Sequence, residues 1–153
     1  VVTGLDDLEG RTVWAEAEGF VLGPFTVASG SIALGDAYSG AVLVGLWQPP
    51  VWESMPRLFI TRNDEIVRRP GRIYGVRANV LDTTSIAIGA NGQPPEDVVL
   101  TTTQDAVDAA MAGKTGSFMR IGIPGFVMGT TAVVTQVKPG RMHVRDLELQ
   151  EKL

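Results

Sequence analysis

Cysteine is absent from all 153 residues. That excludes a disulfide scaffold, thiolate zinc sites and thiol catalysis. Histidine occurs once, at His143, which rules out a histidine-rich metal site and leaves one imidazole for any Ser-His-acid arrangement. Aromatic residues make up only 7%, little for a carbohydrate platform. No stretch approaches the roughly 18 apolar residues of a membrane span, and no charged, apolar and small-residue succession marks a signal peptide. Positive charge is in the minority: 13 basic residues face 17 acidic ones, for a net charge of -4 and a pI near 4.9. Such a balance argues against a generic nucleic-acid binder. Apolar residues at helical spacing are nearly missing as well. The chain opens on Val1 rather than methionine, so a longer parent polypeptide or a processed chain is the expectation.

What the chain has instead is hydrophobicity (44%) cut into short pieces. Its 18 glycines and 9 prolines are roughly 18% of the residues, against about 12% in average usage. They act as punctuation between short runs rich in Val, Ile, Thr and Phe, the pattern of an all-β sandwich or barrel. Residues 12–18 alternate, with Val13, Ala15 and Ala17 on one face. The continuous apolar run Ala41–Leu46 reads as a strand buried on both faces. Pro49-Pro50 interrupts any ladder there, since proline donates no amide hydrogen. Residues 1–48 are accordingly expected to form a small β unit, 49–57 a proline-rich connection, and 58–153 a β-sandwich or barrel.

Within the larger part, residues 72–80 alternate as a strand, and Asn91-Gly92 favours a tight turn. Residues 103–113, with a Thr N-cap, an early acid and a terminal glycine, are the one credible helix. In the last run, Met142 and Val144 share one face while Leu147 and Leu149 share the other. That change of phase predicts a bulge or bend near Asp146.

No motif carries catalysis. His143 sits between Met142 and Val144 in an alternating run and reads as a solvent-facing strand residue. Asp6, Asp7 and Glu9 form an acidic cluster, but without the spacing and closing Glu of a calcium-binding loop. Gly113-Lys114-Thr115-Gly116 resembles the tail of a phosphate-binding loop, yet Asp108 stands where the first glycine is required. Neither a metal nor a cofactor is expected. Paired carboxylates for glycoside cleavage meet only in space, so a hydrolase reading stays open as a distant third. Trp14, Trp47 and Trp52 are the side chains large enough to line a sugar site, or to cover a core edge or subunit contact.

Charge is segregated along the chain. Residues 1–53 carry one arginine against seven acids, whereas residues 54–80 carry six arginines against two. Such a division suits subunits meeting through opposite patches, though solvated strand faces give the same pattern. Phe59 and Tyr74 interleave Arg57, Arg62, Arg68, Arg69, Arg72 and Arg77, as in a nucleic-acid stripe. Strict alternation, however, sends Arg72 and Arg77 to different faces unless a bulge intervenes. Interface or solvated face stands ahead of nucleic-acid readout, and Asp6, Asp7, Glu9, Arg68, Arg69, Arg72 and Arg77 are the candidates for an assembly surface.

Two segments resemble one family. Val2-Thr3-Gly4-Leu5-Asp6-Asp7-Leu8-Glu9-Gly10-Arg11-Thr12-Val13, followed by Val44-Gly45-Leu46, is similar to a V-x-G-L-x-H-L-E-G-x-x-V then V-G-L-P-Y pattern. That pattern belongs to tail tubular (nozzle) proteins of short-tailed bacteriophages, towards their C-terminal part. Arg72-Ile73 through Gly89 resembles the same family's basic strand and following D/N-T-x-G-x-x-x-G run. Two positions depart from it: Asp7 replaces the usual histidine, and Trp47-Gln48 replace Pro-Tyr. The motif is one of turns and strands, in which Leu5 and Leu8 plug the end of a β unit, Glu9-Gly10 turns the chain and Val13 starts a strand. The resemblance implies a non-enzymatic virion protein of the phage tail, a homo-oligomeric ring (six-fold in this family) around the DNA ejection channel. Its implied partners are portal-adaptor and tail fibre proteins, with DNA passing without sequence readout and no membrane. The alternative is a host-surface or glycan-binding β-domain of a tail adhesin.

Overall fold

The structure is a computed structural model and describes residues 1–56, 58–67, 69–106 and 109–152. They form an all-β architecture of several antiparallel sheets, with no closed barrel among the described residues. Two compact units divide the chain: residues 1–48 with 101–111, and residues 49–100 with 112–153.

In the first unit, β1 (Val2–Thr3) leads into a 3-10 turn at Asp6–Leu8, then β2 (Thr12–Ala17), β3 (Phe20–Thr26), β4 (Ser31–Ile32) and β5 (Val42–Gly45). β2 is the centre of a three-stranded sheet between β3 and β5, and β1 pairs with β4. The inward positions Val13 and Ala15 join Val27 and Ile32 in a core on which Leu5 and Leu8 pack. That is the plugging role the motif implies. Gly10 takes a φ of 70°, which a side chain would resist, and its N–H donates to the Val27 carbonyl at 3.0 Å.

Residues 41–46 do not behave as expected. β5 lies at the edge of its sheet, so only one of its faces is covered; Val42 and Val44 are half-buried while Leu43 is 69% exposed. A run with no polar residue carries no signal for which face is open.

The second unit opens with β6 (Trp52–Glu53) and a two-stranded hairpin, β7 (Phe59–Ile60) and β8 (Ile66–Val67). β9 (Pro70–Thr83) is its spine, followed by β10 (Ala87–Ala90), β11 (Glu96–Asp97), β12 (Lys114–Ile121), β13 (Val127–Met128), β14 (Ala132–Thr135) and β15 (Val144–Lys152). β9 pairs with β12, β13 and β15, and a second sheet runs β11-β10-β14-β6. Ile73, Val76, Ala78 and Val80 from the first of these sheets, and Ile86, Ile88, Ala132 and Val134 on or beside the second, are at most 2% exposed. Arg120, on β12, reaches from one sheet to the other. Its Nη1 donates to the Ile88 carbonyl, and its Nη2 pairs with Glu96 at 2.8 Å.

The Asn-Gly turn forms as the sequence predicts. Asn91 and Gly92 both have positive φ (57° and 73°), and the Gln93 N–H closes the turn on the Ala90 carbonyl at 2.9 Å. The register of β15 on β9 shifts between Val144 and Asp146, so Arg145 is the extra residue of a bulge where the phase changes. The expected helix over 103–113 is a correction. Among its described residues the chain makes turns, not a helix; Val107 and Asp108 lie outside the described residues. Asp105 accepts from the N–H and hydroxyl of Thr102, at 2.6 and 3.1 Å. The Asp105 N–H donates back to the Thr102 carbonyl at 3.1 Å, closing a single turn that does not continue as a helix among the described residues.

Candidate functional site

The residues offered for an assembly surface differ in what they do within the fold. Asp6 and Asp7 are exposed on the 3-10 turn. Glu9 is not a spare carboxylate: its two oxygens accept from the N–H groups of Ser29 and Gly30, at 3.0 and 2.8 Å, and fasten the turn ahead of β4. Arg68 lies outside the described residues, and Arg69 is exposed. Arg72 donates from Nε to the Ile123 carbonyl at 2.9 Å, and Arg77 pairs with Glu148, its cross-strand neighbour, at 3.0 Å.

The bulge on which the placement of Arg72 and Arg77 depends is present. Ile73 pairs with Glu151 and Gly75 with Gln150, so Tyr74 is the extra residue and the buried positions step from Ile73 to Val76. Both arginines therefore alternate with core residues, and each is tied to a partner within its own unit. They form no open basic stripe.

Among the described residues no group of three or more metal-ligating side chains comes together. His143 is exposed and enters the fold through its backbone, which bonds to Leu81 and Thr83. Lys114 and Thr115 lie at the start of β12, a strand and not a phosphate loop. The Glu18 carboxyl is held below the ordinary carboxylate value because the Ser39 hydroxyl and the Ser39 N–H both donate to it, at 2.8 and 2.9 Å. It is exposed and sits in the turn between β2 and β3.

One concave site of the second unit is an open groove of about 480 Å³, lined by Trp52, Val134, Met142, Val144, Arg145, Asp146 and Leu147. Its position follows from local sequence. β6 is the outermost strand of its sheet and pairs Trp52 with Val134, while the bulge at Arg145 turns the start of β15. Trp52 is 49% exposed and offers a ring face. The remaining walls are aliphatic or thioether except at Arg145 and Asp146, and Asp146 already accepts from the Asn79 side-chain amide. Asp146 is the one carboxylate among the described lining residues, where glycoside hydrolysis uses a facing pair. Its lining offers an apolar or ring surface around Trp52, with one guanidinium, that of Arg145, among the described lining residues.

The other two tryptophans serve the first unit. Trp14 and Trp47 are half-buried and meet edge to face, with ring centroids 5.7 Å apart at 73°. Sequence reading named Trp52 and the bulge near Asp146 separately; no sequence signal joined them, because β6 and β15 belong to different sheets and come together only in the tertiary fold. No family model and no curated protein matches this chain.

Proposed function

We propose that this chain is a non-enzymatic assembly module of a bacteriophage tail, part of a nozzle ring around the DNA ejection channel or of a related tail structure. The family reading rests on the resemblance of residues 1–13 and 72–89. The structural observation that carries an assembly role is the charge division between the two units. The first unit has one basic residue against eight acids, a net -7, and the second has twelve against nine, a net +3. Opposite charge held on separate compact units favours head-to-tail association of copies, which closes into a ring when the rotation allows. DNA would pass such a ring without base readout, and neighbouring tail proteins would dock on its faces. The test is the absolute mass of the full parent polypeptide by light scattering across a concentration series, with imaging of the assembled species. A closed ring is the expected result.

The second reading, a glycan- or host-surface-binding domain, is favoured by one observation: Trp52 is half-exposed at an open groove. Against it stands the poverty of polar groups in the lining, since sugar sites fix their ligand through several convergent donors and acceptors. A stable trimer that binds immobilised glycans, with binding lost in Trp52→Ala, would replace the ring reading with this one.

A further inference from the structure

Two exposed apolar faces stand on the two units, and their charges are opposite. On the second unit, the β7–β8 hairpin pairs Ile60 directly with Ile66, so both side chains lie on one face, 73% and 65% exposed. An isolated two-stranded ribbon is marginal in water, and this one is fixed by its own turn. The Thr61 N–H donates to the Glu65 carbonyl at 2.9 Å, the Asp64 N–H to the Thr61 carbonyl at 3.1 Å, and Asp64 takes a φ of 58°. Arg62 is exposed beside Ile60 at the turn.

On the first unit, Glu16 is flanked in register by Leu43 on β5 and Val21 on β3, which puts the three in one row across the outer face of the sheet. Leu43 is 69% exposed, Val21 36%, and Glu16 is exposed. Trp14, two residues from Glu16 on the same face, adds a half-buried ring beside that row. β5 is an edge strand without a single charged residue, none of the usual protection against pairing.

We infer that these two faces are the halves of one heterologous interface: the Ile60/Ile66 face of the hairpin seats on the Val21–Glu16–Leu43 row of a second copy of this chain, with Arg62 reaching Glu16. The occupant follows from charge. The row carries one acid between two apolar side chains on a unit of net -7, and the hairpin brings an apolar pair and an arginine from a unit of net +3. Apolar contact supplies the affinity and the charge sets partner and direction. This inference rests on the assembly reading and adds the surfaces through which it operates.

The experiment uses two variants of the full chain. One carries Ile60→Asp and Ile66→Asp, which spoils the hairpin and leaves the sheet row intact. The other carries Leu43→Asp and Glu16→Lys, which spoils the row and leaves the hairpin intact. All four positions are exposed, so circular dichroism and thermal melts of each variant should match the parent, and only variants that pass are used. Each variant alone is expected to lose self-association by at least about tenfold, and an equimolar mixture to form a 1:1 dimer that grows no further, because one good interface remains. Self-association of either variant at parental strength overturns the interface, as does a mixture that stays monomeric. A parent chain that is itself monomeric also overturns it; the tail reading then stands or falls separately, on whether the chain is found in purified virions.

Discussion

Asn91 shows how one side chain fixes the second unit. Its Oδ1 accepts from the Ile73 N–H at 2.9 Å, while its Nδ2 donates to the carbonyls of Ile73 and Pro124 at 2.8 and 3.0 Å. The residue is 2% exposed and also holds the left-handed conformation that opens the turn. Truncation orphans three backbone groups in a place with little water, at a cost of about 1–3 kcal/mol for each group left unpaired. Asn91→Ala is expected to destabilise the chain by about 3 kcal/mol or more in urea unfolding. Asn91→Asp should recover only part of this, because it keeps the acceptor and loses both donors. An Asn91→Ala variant within about 0.5 kcal/mol of the parent would remove Asn91 from this role.

Glu18 gives the second residue-level prediction, and its sign is fixed by linkage. A carboxyl held low in the folded chain contributes stability at pH above the ordinary carboxylate value of 4.5, and that contribution is lost as pH falls through the folded value. The Ser39 hydroxyl is the largest cause of the lowering. Ser39→Ala should therefore move the Glu18 titration upward in an NMR pH series, towards the ordinary range. An unmoved titration would mean that Ser39 does not hold this carboxylate in solution.

Among elements, β12 is joined to β10 and β11 by Arg120, whose side chain is only 13% exposed. A planar guanidinium serves the Ile88 carbonyl and Glu96 together; an ammonium meets one of them well. Arg120→Lys should cost about 1–2 kcal/mol in denaturant unfolding despite conserving charge. Glu96→Gln should cost less, since Glu96 is 70% exposed and solvent screens the pair.

This is also the scale at which the sequence was readable, and where it stopped. Val13, Ala15 and Ala17 alternate cleanly with polar neighbours, so β2 and its buried face were legible. Asn91-Gly92 announced its turn because few other dipeptides tolerate two positive φ angles. Glu18-Gly19 makes the same two-residue reversal, with φ of 52° and 83°, but glutamate is not a residue that signals it. Its compensation, the Ser39 contacts, comes from 21 residues away. The false helix has a true start signal, since Asp105 accepts from the Thr102 N–H as a capping acid does, but the chain beyond it makes no helix among the described residues. The groove was legible only in parts, as a tryptophan and a change of phase, because pairing Trp52 with Val134 is a long-range event.

For the whole molecule, the division into a unit of -7 and a unit of +3 makes the salt dependence of assembly a test of geometry. In a head-to-tail contact the acidic unit of one copy faces the basic unit of the next, and screening removes an attraction. In a two-fold contact built on one unit alone, like faces like, and screening removes a repulsion. The Debye length falls from about 10 Å at 0.1 M salt to about 3 Å at 1 M, so the electrostatic part of either contact is largely gone at the upper value. Sedimentation of the parent polypeptide over that range should show weaker association at high salt, with the association rate falling more than the dissociation rate rises. The Ile60/Ile66 contact is apolar and should leave a residual affinity that salt does not abolish. Association that strengthens steadily with salt would place like-charged units against one another and rule out the head-to-tail arrangement.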